Sequence, residues 1–259
     1  MALVTGASKG IGLAVTSTLL AEGARVVAVS RNRSDELDAL DGDLVHFSAD
    51  LMDADAPAAA VAEALARFGG LDVLVNNAGG PPPGVHMPRF GFLTLDDDDW
   101  RAMLEFNLLS AVRACRAALP VMVERGSGAI VNVSSVHARQ PSGINVDYGA
   151  AKAGLSNLTK ALAEEFGPQG VRVNGVCPGP VLTPWWTEDG GAADVLAVQL
   201  DSDRDSVMAT VAPEMMQLTS GRLIEPQEIA DMVVLLCSPR SGSTIGAEVI
   251  VDGGMVKAT

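Results

Sequence analysis

Ala2-Leu3-Val4-Thr5-Gly6-Ala7-Ser8-Lys9-Gly10-Ile11-Gly12 opens the chain as an apolar strand, a glycine-rich turn and the start of a helix. The helical pattern continues to about Glu22. Glycines in such a turn let the backbone approach a phosphate closely, and a helix N-terminus favours an anion. The spacing is Gly-x-x-x-Gly-x-Gly, not Gly-x-Gly-x-x-Gly, and a glycine-rich strand-to-helix turn can be purely structural. Its place at the first such turn of the chain favours a bound dinucleotide, held by Gly6, Ser8, Lys9, Gly10, Ile11 and Gly12.

The rest of the chain repeats this alternation. Strands are expected at residues 2–5, 25–29, 44–47, 71–75, 129–134, 171–176 and 248–251. Helices are expected at about 11–22, 57–68, 98–119, 148–166 and 226–237. Strands separated by helix-length crossovers imply a parallel sheet with helices on both faces. Continuous apolar strands such as Val73-Leu74-Val75 suit burial on both sides. The expected fold is α/β: one doubly wound, Rossmann-type domain over residues 1–259 with seven parallel strands. No internal repeat or linker interrupts it. The acid run Asp96–Asp99 suits a helix N-terminus, where carboxylates complement the dipole.

In such a sheet, ligands lie beyond the carboxyl ends of the strands. The second strand ends Ser30-Arg31-Asn32-Arg33, where a site for a free ribose 2′-hydroxyl calls for an acid. Arg31 together with Lys9 suits a 2′-phosphate instead, because guanidinium binds phosphate well. NADP (NADPH) is therefore expected over NAD. Asp50 and Leu51 follow the third strand. Asn76-Asn77-Ala78-Gly79 follows the fourth, and those asparagines could simply end a strand. No role follows for the Pro81-Pro82-Pro83-Gly84 loop.

Ser135 to Lys152 carries the second piece of chemistry. Tyr148 and Lys152 lie four apart, so a helix puts them on one face. That face continues through Leu155, Leu158, Leu162 and Phe166. An ammonium heading a buried stripe is uncommon, because an unpaired buried charge is costly. Placed one turn from a phenol, it favours the phenolate. Bringing a tyrosine from about 10 to about 7 takes about 4 kcal/mol of preferential stabilisation. Asn107 falls inside the buried stripe of the preceding helix. It serves either a structural hydrogen bond or a carbonyl or water beside Lys152.

Cys177-Pro178-Gly179-Pro180-Val181-Leu182-Thr183-Pro184 leaves the sixth strand at its carboxyl end. Pro178, Gly179, Val181 and Thr183 are placed to touch the nicotinamide end of a cofactor. Residues 183–223 are the least regular stretch. They hold Trp185, Trp186, Leu196, Met208, Met215 and Met216, which suit an apolar substrate lid. Packing against the body or a neighbouring subunit is the plainer alternative.

The chain length suits one large α/β domain or two small ones. With 48% hydrophobic and 19% charged residues, the 259-residue chain can bury a large core. Its net charge of −14 disfavours nucleic acid or an anionic membrane as partner. Three scattered cysteines point to a reducing, cytoplasmic setting. No apolar run looks long enough to span a membrane, and the start carries no leader pattern. His46, His86 and His137 lack ligand spacing, so no catalytic metal is expected. His137 and Cys177 have no partnered nucleophile arrangement.

Taken together, these motifs resemble the short-chain dehydrogenase/reductase family over essentially the whole chain. The resemblance rests on Thr5-Gly6-x-x-x-Gly10-Ile11-Gly12, Asn76-Asn77-Ala78-Gly79, Asn107, Ser135, Tyr148-x-x-x-Lys152, Pro178-Gly179 and Val251-Asp252-Gly253-Gly254. It implies a catalytic set of Asn107, Ser135, Tyr148 and Lys152. Family spacing prefers Ser135 to Ser134. It also implies Asp50 at the adenine, Asn107 holding a water beside Lys152, and Lys152 on the nicotinamide ribose. The Ser30-Arg31 ending resembles NADP-preferring members. The implied activity is interconversion of a ketone or aldehyde and an alcohol, on a small-molecule substrate, in a homo-oligomer (dimer or tetramer). A non-catalytic NADP sensor, and a dehydratase or epimerase on the same fold, are the alternatives.

Overall fold

A computed structural model describes residues 1–257; positions 258 and 259 of the expected domain lie outside the described residues. Seven parallel strands form one sheet: β1 (Ala2–Thr5), β2 (Val26–Ser30), β3 (Leu44–Ser48), β4 (Val73–Asn76), β5 (Gly128–Val133), β6 (Val171–Pro178) and β7 (Glu248–Val251). Their spatial order is β3-β2-β1-β4-β5-β6-β7. The chain turns back between β1 and β4, which opens a crevice at their carboxyl ends.

The register explains the apolar strands. Val27, Leu3, Leu74, Ile130 and Val173 stand side by side across five strands. They bury one face beneath α3 (Ala56–Phe68) and α5 (Ser110–Arg125). Their neighbours Val26, Val4, Val75 and Val131 point the other way. That second face packs against α1 (Gly10–Ala21) and α11 (Pro226–Cys237). Period-2 alternation thus feeds two cores from one set of strands.

The expected helices form, with shifts at their ends. Short α2 (Asp35–Asp38) is an addition. The helix expected at 98–119 is longer and interrupted. It comprises α4 (Asp97–Leu104), a π-helical turn at Glu105–Leu109, and α5. Asp96 caps it, accepting from the amides of Asp98 and Asp99, so the acid run does mark a helix start. The run Asp97–Arg125 is long and apolar enough to cross a membrane by length and composition alone, which corrects the sequence reading. Its apolar side lies on the sheet, through Ala114, Cys115 and Ala118.

Residues 183–223 are also more regular than expected. They fold into α7 (Pro184–Thr187), α8 (Ala192–Leu200), α9 (Arg204–Ser206), a second π turn, and α10 (Ala212–Met215). Trp186, Leu196, Val207 and Leu218 give this segment a small core of its own. The periodicity was hard to see because each helix is only one to three turns long.

Candidate active site

The glycine turn is shaped by close contacts. Gly6 has φ +66°, and a Cβ there would meet Ala78 Cα and Asn77 Nδ2 at 3.0 Å. A Cβ on Gly12 would lie 2.1 Å from the Gly6 carbonyl oxygen, so only glycine lets α1 start this close to the turn. Thr5 Oγ1 accepts from the amides of Asn77 and Ala78, both at 3.0 Å. Asn77 Nδ2 donates to the Thr5 oxygen at 2.9 Å. The Asn76 side chain instead donates to Asn132 at 2.8 Å, joining β4 to β5. One asparagine therefore builds the turn and the other the sheet interior.

A cleft of about 950 Å³ runs along the carboxyl ends of the strands. It is lined by Gly6, Ser8, Lys9, Gly10, Ile11, Ser30, Arg31, Asp50, Leu51, Asn77, Ala78 and Gly79 at one end. Ser135, Tyr148, Lys152, Pro178, Gly179, Val181 and Thr183 line the remainder. Of the catalytic and cofactor-binding residues expected from the sequence, Gly12 and Asn107 do not line it. Gly12 is a packing position, since its Cα faces the Gly6 carbonyl.

The cleft fits a dinucleotide on structural grounds. Among the described residues no side chain caps the start of α1, and no acid occupies its first turn. Its leading amides are thus left to an anion in the cleft. The cations at the β2 end are partly engaged. Lys9 Nζ pairs with Glu188 Oε1 of the 183–223 segment at 2.8 Å, and Arg33 pairs with Asp38. Ser30 is buried; its hydroxyl donates to the Asn32 oxygen and lies 2.9 Å from His46 Nε2. Asp50 is exposed and accepts from the Met52 amide.

At the other end, α6 (Val146–Phe166) carries Tyr148 and Lys152 on one face. Lys152 Nζ lies 5.8 Å from the Tyr148 ring centre and donates to the Val133 oxygen at 2.8 Å. Ser135, two residues beyond β5, lines the cleft with the phenol, and its hydroxyl accepts from the His137 amide at 3.2 Å. Ser134 turns away, approaching the Lys152 oxygen and the Ser156 hydroxyl. Gly79 leaves room beside both groups: a Cβ there would lie 2.8 Å from Lys152 Nζ and 2.9 Å from Asn107 Oδ1. Asn107 itself pairs with Gly80, accepting from its amide at 2.8 Å and donating to its oxygen at 2.9 Å.

The electrostatics correct one expectation. Burial pushes the Tyr148 phenol up to about 12, and the nearby Ser135 hydroxyl only partly offsets this. The same burial pulls the Lys152 ammonium down to about 8. In the protein alone, burial is the largest influence on the phenol and holds it above its ordinary value. Burial also pulls His137 down; its ring meets Tyr148 edge-on at 5.9 Å.

Several contributors were not legible in the sequence. Arg89 bonds both Asp99, at 2.6 Å, and the fully buried Asp147 next to Tyr148. The pairing spans 58 residues and leaves no local pattern. Asn145, at φ +55°, accepts from the Arg89 amide at 2.6 Å and donates its own amide to the Arg89 oxygen. This pins the long loop after β4 beside the tyrosine. Pro81, Pro82 and Pro83 of that loop line the cleft; Trp185 and Trp186, which the sequence already offered as a substrate surface, line it as well.

Known proteins resemble the chain throughout. The short chain dehydrogenase family model matches residues 1–192. The short-chain reductase protein NovJ of Streptomyces niveus is 39% identical, over 98% of this chain and 93% of that protein. A cis-4-hydroxycyclohexanecarboxylate dehydrogenase of Sinomonas cyclohexanicum is 37% identical, over 98% and 95%. The crystal structure of L-sorbose reductase from Gluconobacter frateurii, complexed with NADPH and L-sorbose, superposes with a TM-score of 0.88. It is 33% identical, and the match covers 100% of this chain and 97% of that one. With a family model spanning most of its length and relatives this similar from end to end, the chain belongs to the short-chain dehydrogenase/reductase family of oxidoreductases.

Proposed function

We propose that the protein is an NADP(H)-dependent oxidoreductase that interconverts a ketone or aldehyde and an alcohol, with Tyr148 as general acid and base. The observation that carries this reading is the convergence of Ser135, Tyr148 and Lys152 on one cleft with the uncapped start of α1. The bound cofactor supplies or accepts the hydride. Tyr148 Oη gives its proton to the carbonyl oxygen in reduction and takes it back in oxidation. Ser135 Oγ hydrogen-bonds that oxygen and fixes its place. Lys152 Nζ holds the ribose and the proton path beneath the phenol, with Asn107 fixing the adjoining Gly80 backbone. A phenol protonated across the neutral range is suited to donate. Gly6, Ser8, Gly10 and Ile11 hold the pyrophosphate; Asp50, Leu51, Ala78 and Gly79 flank the adenosine and its ribose. Pro178, Gly179, Val181 and Thr183 border the nicotinamide.

The 2′-phosphate preference rests on Lys9, Ser30 and Arg31 lining the cleft at the β2 end. It is supported by the NADPH in the L-sorbose reductase structure. Residues 183–223 form the substrate-side lid of a single catalytic domain. The enzyme acts as a homo-oligomer in a reducing, cytoplasmic setting; Cys115, Cys177 and Cys237 are free and buried.

Tyr148→Phe tests the assignment. Its kcat for ketone reduction is expected to fall ~10²–10⁴-fold, the usual worth of positioned acid catalysis. NADPH binding, read by titration, is expected to stay within a few-fold of wild type. A Phe variant with near-normal turnover refutes the role. Stoichiometric NADPH consumption separates this activity from a dehydratase or epimerase that recycles its cofactor.

A further inference from the structure

We infer that the catalytic end of the cleft takes an uncharged ketone with an apolar body and turns anionic substrates away. This rests on the reading of Ser135 and Tyr148 as the carbonyl site. The cations that line the cleft, Lys152 apart, gather elsewhere. Lys9, Arg31 and Arg33 belong to the glycine turn and the end of β2. Three strand steps separate β2 from β5, where Ser135 stands, a distance of roughly 14 Å. Lys152 is buried under the tyrosine and donates to the Val133 oxygen.

The guanidinium on the loop bordering the tyrosine is also taken. The Arg89 side chain is 16% exposed and is held between Asp99 and Asp147. Its charge is matched by two carboxylates, so none is left over for a substrate anion. The walls themselves are apolar: Val85, Met87, Trp185, Met216 and Met255 line the cleft. His137, the remaining titratable group beside Tyr148, is biased by burial toward neutral imidazole. It offers a hydrogen bond without a charge.

The approach is acidic as well. Between Thr183 and Leu223 the lid carries seven carboxylates against two guanidiniums. Glu188 lines the cleft with its charge matched by Lys9, so it offers no counter-charge, and the whole chain carries a net charge of −14. A carboxylate or phosphate on the substrate meets like charge on entry and no counter-charge inside, and burying it unpaired is costly. A hydrophobic, uncharged ketone meets neither penalty. The Sinomonas relative is named for a carboxylate, so this property divides two otherwise similar chains.

Matched pairs test the idea on the full-length wild-type enzyme with NADPH: 4-oxocyclohexanecarboxylate against its methyl ester, and acetoacetate against ethyl acetoacetate. The ester of a pair is expected to have a kcat/KM on the order of 30-fold or more above its acid. The acid's rate is expected to rise with added salt, and the ester's to stay level. Calorimetry of the same compounds on NADPH-loaded Tyr148→Phe protein gives a second reading that needs no turnover. Esters that bind more tightly than their acids, without any turnover by wild type, refute the carbonyl chemistry and uphold the charge selectivity. An acid that binds or turns over as well as its ester overturns the selectivity, and so does failure of both esters to bind.

Discussion

Lys152 shows what a single residue costs and provides. Its side chain is 2% exposed, and its ammonium has one carbonyl to bond. Burial holds its pKa near 8, below the ordinary 10.5. Between those two values the unfolded chain binds more protons than the folded one, so stability from this group rises with pH. Below about pH 8 the burial penalty is present in full. Lys152→Met removes this titration. Relative to Lys152→Met, the cofactor-free wild type should gain stability by up to roughly 3 kcal/mol as pH climbs from about 8 to above 10.5. Urea unfolding of both proteins across that range measures the difference. A difference that stays flat, or moves the other way, means that the ammonium is not desolvated in the folded protein.

At the scale of elements, a buried ion pair ties the loop after β4 to α6. Arg89 and Asp147 form an ion pair whose carboxylate is wholly buried, one residue before Tyr148. Phe90 and Ile144 add an isolated antiparallel bridge beside it. Breaking a buried pair from one side leaves an uncompensated charge and typically costs about 3–5 kcal/mol. Arg89→Met is expected to destabilise the protein by that amount in urea unfolding. Arg89→Met combined with Asp147→Leu should recover most of it, since an apolar replacement of both partners is often close to neutral. A double variant no more stable than Arg89→Met would show that the loop is held by something other than this pair. The clamp also sets where Val85 and Met87 stand in the cleft, so its loss changes the substrate wall as well as the stability.

At the scale of the whole molecule, two features bear on assembly. β7 is an edge strand, and an apolar groove between α5 and α6 is lined by Val112, Leu119, Leu158, Leu162 and Phe166. Exposed apolar patches commonly mark association sites. Static light scattering should give a mass two or four times the 26.7 kDa chain. A mass of one chain at micromolar concentration would refute the oligomer. The 183–223 segment contributes at this scale too: through Glu188 it reaches back 179 residues to Lys9 on the glycine turn. The ammonium expected to meet a 2′-phosphate is thus shared with a carboxylate of that segment.

Much of this protein was legible from local pattern. Strand and helix periods, together with glycines at the first turn, determined a parallel sheet flanked by helices and placed its ligand edge. The spacing of Tyr148 and Lys152 put both on one face, because helix geometry depends only on nearest neighbours along the chain. What tertiary structure decided was everything that depends on residues far apart. The Arg89–Asp147 pair, the Lys9–Glu188 contact and the Asn107–Gly80 bonds join positions whose separation no period encodes. The direction of the Tyr148 shift was decided there as well. Sequence supplied the neighbouring ammonium, but the depth of burial belongs to the assembled fold, and burial is the larger effect.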